Sequence, residues 1–196
     1  MKILAFSDVH GDLKAIDGLV AKAKKNDVDL LICAGDLTNF GMELGKIVGK
    51  LKKCGKKLLI VHGNHETGNE IRAVESEEVI ALHDRIYLLD GYVFYGYGDG
   101  GFSLVDERME RAVDRIAGRM NGRKAVVVTH APPYGTKVDK LPWAGHCGCK
   151  SVTLAAKRLK ATLLICGHLH ENAGVKDYIG KTVVINAGKN GVILEI

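Results

Sequence analysis

The chain has 196 residues, 46% of them hydrophobic and 26% charged, which is the balance of a soluble globular domain with one sizeable core. That length excludes two ordinary domains with separate sites, and no run approaches the roughly 20 apolar residues of a membrane span. The net charge of +5 suits an anionic substrate without identifying one.

Lys2–Ser7 is nearly all apolar and predicts a strand covered on both faces. It begins two residues into the chain, with neither a basic leader region nor a small-residue cleavage site, so the protein is expected to be cytoplasmic. The strand ends in Asp8-Val9-His10-Gly11-Asp12. Asp12 is the expected N-cap of a helix in which Leu13, Ile16, Leu19, Val20 and Ala23 recur at helical spacing. A second strand, Leu30–Ala34, ends in Gly35-Asp36, with Thr38 and Asn39 close enough behind it to face a substrate. Gly41–Lys53 predicts another helix. Basic residues crowd Lys22–Lys25 and Lys50–Lys57, near predicted helix ends, where cations suit the helix dipole. They are therefore read as solvated faces, and no stable nucleic-acid complex is expected.

Leu58–His62 predicts a third strand, ending in Gly63-Asn64-His65-Glu66. A fourth, Tyr92–Tyr97, overlaps a G-x-G-x-x-G spelling over Gly96–Gly101. No helix starts at once behind it, so a tight loop is expected there and not a dinucleotide fingerprint. Asp106–Met120 predicts a helix, and Ala125–Thr129 a strand ending in His130. Ala131–Lys150 holds all three prolines and the single tryptophan and predicts one long irregular loop, in which Tyr134 and His146 are candidates to wall the substrate. Lys150–Lys160 predicts a helix. Leu163–Cys166 predicts a strand ending in Gly167-His168-Leu169-His170, and strands over Lys181–Asn186 and Val192–Ile196 close the chain. Alternation of strands and helices early, with strands crowding late, indicates an α/β fold with a sheet at the C-terminal end. The odd count of five cysteines argues against a disulfide framework. Cys33 and Cys166 sit in strand patterns, and Cys147-Gly148-Cys149 lacks the partner pair of a zinc ribbon.

One pattern recurs along this series. Each apolar strand finishes in Asp, Asn or His, and the carboxyl ends of strands form the ligand crevice of α/β sheets. A histidine alone at a strand end is ordinarily structural or solvated. Five of the eight histidines at successive strand ends are not an accident of core packing. Asp8, His10, Asp36, Asn64, His130, His168 and His170 are too many ligands for one tetrahedral ion, and two ions sharing a carboxylate would use them well. Mixed oxygen and nitrogen donors without thiolate favour borderline divalent ions: Mn first, with Fe, Ni, Co or Zn as alternatives.

In this order, Asp-x-His, Gly-Asp, Gly-Asn-His-Glu, a lone strand-end His and Gly-His-x-His resemble the motif set of the calcineurin-like metallophosphoesterases. Thr-His-Ala-Pro-Pro around His130 brings the chain nearest to the small capless Icc-related phosphoesterases. The resemblance spans residues 8 to 170. It implies a four-layer αββα sandwich with two mixed β-sheets, as a single domain over residues 1–196. It implies that Asp8, His10 and His170 hold one metal, that Asn64, His130 and His168 hold the other, and that Asp36 bridges them. His65 would stay off the metals and assist the leaving group, while a hydroxide shared by the metals attacks phosphorus in line. His62 stands where the family often has Pro and is read as neutral. The activity expected is that of a phosphodiesterase on small or nucleotide substrates. Phosphomonoesterase, nucleotide pyrophosphatase and a non-catalytic protein-binding scaffold are the alternatives, and both monomer and homodimer stay open.

Overall fold

A computed structural model describes residues 1–99, 103–120 and 122–196. The last glycine of the G-x-G-x-x-G spelling, Gly101, lies outside the described residues. The N-terminal half runs β1 (Lys2–Phe6), α1 (Leu13–Lys25), β2 (Leu30–Ala34), α2 (Leu44–Leu51), β3 (Lys57–Val61), α3 (Gly68–Ala73) and β4 (Val79–Ala81). It continues with β5 (Arg85–Leu89), β6 (Tyr92–Tyr97), α4 (Glu107–Ala117), β7 (Lys124–Thr129), β8 (Lys140–Leu141), β9 (Gly145–His146) and α5 (Lys150–Arg158). The chain ends with β10 (Ala161–Cys166), β11 (Lys176–Ile179), β12 (Thr182–Asn186) and β13 (Val192–Glu195).

The strands form two large mixed sheets, ordered β13-β1-β2-β3-β4 and β11-β12-β10-β7-β6-β5. In the first, β1 to β4 are parallel and β13 is antiparallel to β1. In the second, β6, β7, β10 and β12 are parallel between antiparallel edge strands β5 and β11. A tiny hairpin pairs β8 with β9.

Side chains alternate across each strand, so an almost wholly apolar strand feeds two cores. Leu4, Phe6, Leu31, Cys33, Leu58 and Ile60 face helices α1 and α2, meeting Ile16, Leu19, Ile47, Val48 and Leu51. Their neighbours Ile3, Ala5, Leu30, Ile32, Leu59 and Val61 face the second sheet, meeting Phe94, Val126, Val128, Leu163 and Ile165. The far side of that sheet, with Val93, Tyr95, Val127 and Leu164, is covered by Met109, Val113 and Ile116 of α4 and Val152, Ala155 and Ala156 of α5. The layers are thus helices, sheet, sheet, helices. Asp12 accepts hydrogen bonds from the backbone N–H groups of Lys14 and Ala15, as the expected cap of α1.

Several expectations are corrected. The helix expected over Gly41–Lys53 starts only at Leu44, because Glu43 before it adopts a left-handed backbone, φ 55°. It tightens into a 3₁₀ turn over Lys52–Cys54. The segment Ala131–Lys150 is not wholly irregular: it holds a 3₁₀ turn at Lys137–Asp139 and the β8–β9 hairpin. The late strands do not make one C-terminal sheet. β12 extends the second sheet, while β13 returns to the first, where Met1 and Ile196 exchange backbone hydrogen bonds. Cys33 and Cys166 are fully buried, and burial pushes both thiols well up. Among the described residues no helix is long and apolar enough to cross a membrane.

Candidate metal centre

The loops after β1, β2, β3, β7 and β10 meet at one edge of the two packed sheets. Three backbone hydrogen bonds lash the first two loops together: Asp8 N–H to Gly35 O, His10 N–H to Asp36 O and Gly11 N–H to Leu37 O. The first sheet is stitched to the second by the His168 N–H, which donates to both carboxylate oxygens of Asp8 at 3.0 Å. His65 N–H donates to Asp36 Oδ1 at 2.9 Å and so ties the β3 loop to the β2 loop. Asp8, His10, Asp36 and His168 all adopt positive φ, at 55°, 51°, 51° and 71°. Such backbone costs about 1–3 kcal/mol per residue and clusters at functional sites. Gly63 and Gly167 supply close approach: a Cβ on Gly63 would run into the Asp36 carboxylate, and one on Gly167 into Ser7 and Asp8.

All seven expected ligand residues gather there, in two groups joined at Asp36. In one, His10 Nε2 lies 3.2 Å from His170 Nε2, and His170 Nε2 lies 3.5 Å from Asp8 Oδ1. In the other, Asn64 Oδ1 lies 3.0 Å from His130 Nε2 and 3.1 Å from His168 Nδ1, and the two ring nitrogens are 3.3 Å apart. Asp36 Oδ2 stands between the groups, 3.3 Å from His130 Nε2 and 3.9 Å from His10 Nε2.

Outer hydrogen bonds aim the rings. His130 Nδ1–H donates to Ala34 O at 2.9 Å, which turns Nε2 inward. Asn39 donates through Nδ2 to His10 O, and its Oδ1 accepts from His10 Nδ1 at 3.1 Å, so His10 Nε2 also points in. Burial opposes ionisation of Asp36. The hydrogen bond and charge of His130, with the His65 N–H, overcome this and hold the carboxyl at about 2. Burial likewise opposes charge on His130, but Asp36 wins and holds that imidazole above its ordinary value. Burial and the neighbouring His130 push His168 down to about 4, and burial lowers His10.

This donor set fits divalent cations. Ring nitrogens 3.2 and 3.3 Å apart can share at most one proton per pair, leaving lone pairs converging on common points. The ligand atoms of Asp8, His10 and His170 lie within 4.8 Å of one another, as do those of Asp8, Asp36 and His130. His10, Asp36 and His65 form a third such group, so His65 lies as near the carboxylate as the expected ligands do. Among the described residues this group contains no thiolate, which suits borderline or hard divalent ions.

The expected substrate residues are placed unequally. Thr38 is fully buried, and both its N–H and its hydroxyl donate to Glu66 Oε1, so it lies beneath the site and does not face a substrate. Asn39 is occupied with His10. The Tyr134 ring packs against His146, at 5.5 Å, under the Lys150 ammonium. His146 is held through Nδ1 by the fully buried Asp139 at 2.9 Å. It lines a groove of about 380 Å³ together with Leu104, Leu141 and His168. Asp8, His10 and His170 border a second groove, of about 530 Å³, that runs along Gly188–Val192. Sequence reasoning kept Glu66 outside the ligand set but did not foresee its role. Its carboxylate accepts from Thr38 and from Gly63 N–H at 3.4 Å, bracing two ligand loops. A carboxylate inside the Gly-Asn-His-Glu motif was the available signal.

A family model described as calcineurin-like phosphoesterase matches residues 1–172. The uncharacterized protein MJ1162 of Methanocaldococcus jannaschii is 27% identical over 197 aligned positions, covering 95% of this chain and 87% of that protein. The crystal structure of TT1561 of Thermus thermophilus superposes with a TM-score of 0.76 at 18% identity, over 96% of this chain and 90% of that one. An archaeal phosphodiesterase superposes with a TM-score of 0.53, also at 18% identity, over 96% and 84%.

Proposed function

Because the chain belongs to the calcineurin-like phosphoesterase family, we propose that it is a phosphodiesterase for small or nucleotide diesters, working with two divalent ions, Mn first among them. The observation that carries this reading is the pair of ligand groups joined at Asp36 Oδ2. Asp8, His10 and His170 would hold one ion, Asn64, His130 and His168 the other, and Asp36 both. When bound, such a pair supplies Lewis acidity and a water acidified toward neutrality for in-line attack on phosphorus.

The chain's own residues prepare that chemistry. Ala34 O and Asn39 fix the rings of His130 and His10 through their outer nitrogens, so that both inner nitrogens face the other expected ligands. His65 stands edge-on to His10, ring centroids 4.6 Å apart, and its backbone grips Asp36. In this reading His65 hydrogen-bonds the phosphoryl group and delivers a proton to the departing oxygen. Two grooves border the centre, one of about 530 Å³ at Asp8, His10 and His170 and one of about 380 Å³ at His168, giving room for two substituents on one phosphate. A diester has two and a monoester one, which favours the diesterase. Five free cysteines suit a reducing, cytoplasmic setting, and the enzyme would serve as monomer or homodimer.

The test compares bis-p-nitrophenyl phosphate with p-nitrophenyl phosphate after chelation and after return of Mn, Ni, Co, Mg or Zn. The expected outcome is no turnover without metal, recovery with Mn, and faster cleavage of the diester. His65→Ala should lower kcat about 10²-fold or more with two metals still bound per chain. Preference for the monoester would move the assignment to a phosphatase. Metal binding without turnover of either ester would remove it.

A further inference from the structure

The rings of His10 and His130 are aimed by hydrogen bonds from their outer nitrogens. His65 has no such guide. Its Nδ1 is buried and, among the described residues, without a hydrogen-bond partner. Asp36, the obvious orienter, takes the His65 backbone N–H and not the ring. Two rings meet it: His10 edge-on, at 4.6 Å, and Phe40 stacked on its face, with centroids 4.6 Å apart and planes 30° from parallel.

Phe40 is an unusual residue to find there. It is 73% exposed, so core burial does not explain it. Its φ is +53°, a left-handed backbone that bulky side chains rarely adopt. The chain forces this conformation from both sides. Thr38 is bonded through N–H and hydroxyl to Glu66, Asn39 is bonded to His10, and Gly41 N–H donates to Thr38 Oγ1 at 3.1 Å. Glu66 immediately follows His65. The Thr38–Glu66 clamp therefore sets Phe40 and His65 opposite one another, at the expense of backbone strain.

We infer that Phe40 is the positioning residue for His65: its ring, held in a strained left-handed turn, sets the imidazole plane from which the leaving oxygen receives its proton. This rests on the diesterase reading above. The contact through which Phe40 acts is the one with the His65 ring. Strain maintained at an exposed aromatic whose ring is stacked on His65 is the signature of a local device.

Phe40→Gly, Phe40→Ala and Phe40→Tyr separate function from folding. Glycine accepts φ +53° freely, so the Phe40→Gly protein should melt at or above the wild-type temperature and bind metal normally. It should nevertheless lose about tenfold or more in kcat on diphenyl phosphate, whose phenolate departs poorly. The loss on bis-p-nitrophenyl phosphate, whose leaving group needs little protonation, should be much smaller. KM should move less than about twofold, and Phe40→Tyr should restore kcat. By NMR, the His65 Cε1–H resonance should shift when the stacked ring is removed, whether or not metal or substrate is present. An unmoved His65 resonance in Phe40→Gly overturns the inference. So does unchanged kcat on diphenyl phosphate while His65→Ala is inactive. A wild type that turns over neither ester, with the resonance shift intact, faults the diesterase reading and leaves the stacking contact standing.

Discussion

At the scale of the residue, two imidazoles of the centre are already set to receive a cation and a third is not. His168 and His10, both lowered, stand neutral at pH 7. His130 is raised by Asp36 and, in the metal-free protein, retains a proton to higher pH than a free imidazole would. A divalent ion entering beside Asp36 must displace that proton. Affinity should therefore fall with decreasing pH, by about tenfold per unit below the raised His130 value. Titration calorimetry in buffers of different ionisation enthalpy should show proton release on loading. His130→Gln should abolish that release and weaken binding. The sequence singled out the residues proposed to take part here, because ligand types at strand ends are visible one by one. Which nitrogen faces inward was not visible, since Ala34 O is 96 residues from His130 and Asn39 is 29 from His10.

At the scale of the element, the strands were legible and their connections less so. β2 and β6 coincide with the expected runs, because five or six consecutive apolar or β-branched residues leave little ambiguity. β5 and β11, partly exposed edge strands, were not anticipated: β11 opens with Lys176 and Asp177, and the short apolar run of β5, Ile86–Leu89, stands outside the buried-strand pattern. The segment after β3 shows how local chemistry serves the site. Asn64, His65 and Glu66 enter α3, which Thr67 and Glu70 cap reciprocally. Glu66 then reaches back to the β2 loop, where burial raises its carboxyl. Glu66→Ala would leave the buried Thr38 N–H, Thr38 hydroxyl and Gly63 N–H without their acceptor, at a cost of about 2–4 kcal/mol. Glu66→Gln keeps an oxygen toward Thr38 and should lose less than about half of that. Chemical denaturation of the two variants checks the ordering, and metal content should drop in the alanine protein alone.

At the scale of the whole molecule, the two sheets must hold register against one another for a centre to exist. Asp8, Asp36 and Asn64 follow strands of the first sheet, while His130 and His168 follow strands of the second. The layer between them, with Phe94 and Val128 against Ile32 and Val61, is fully buried. Phe94→Ala should destabilise the protein by about 3–5 kcal/mol and lower the melting temperature by about 10 °C. Because ligands from both sheets share a site, metal affinity should weaken in parallel. By contrast, a truncation of similar size on the outer face of α4, such as Arg111→Ala, should change neither.

The amino-acid order alone determined the strand cores, the family to which the motifs point and the identity of the seven gathered donors. Each of these is written in short, local patterns of apolar runs and the polar residues that end them. Only the tertiary structure decided that β13 returns to β1, that Thr38 is buried under Glu66 and that Phe40 stacks on His65. These are contacts between residues 25 to 193 positions apart, or between loops whose conformation depends on their neighbours. They follow from how the layers pack and which buried polar groups then find partners, a condition that no single stretch of chain carries by itself.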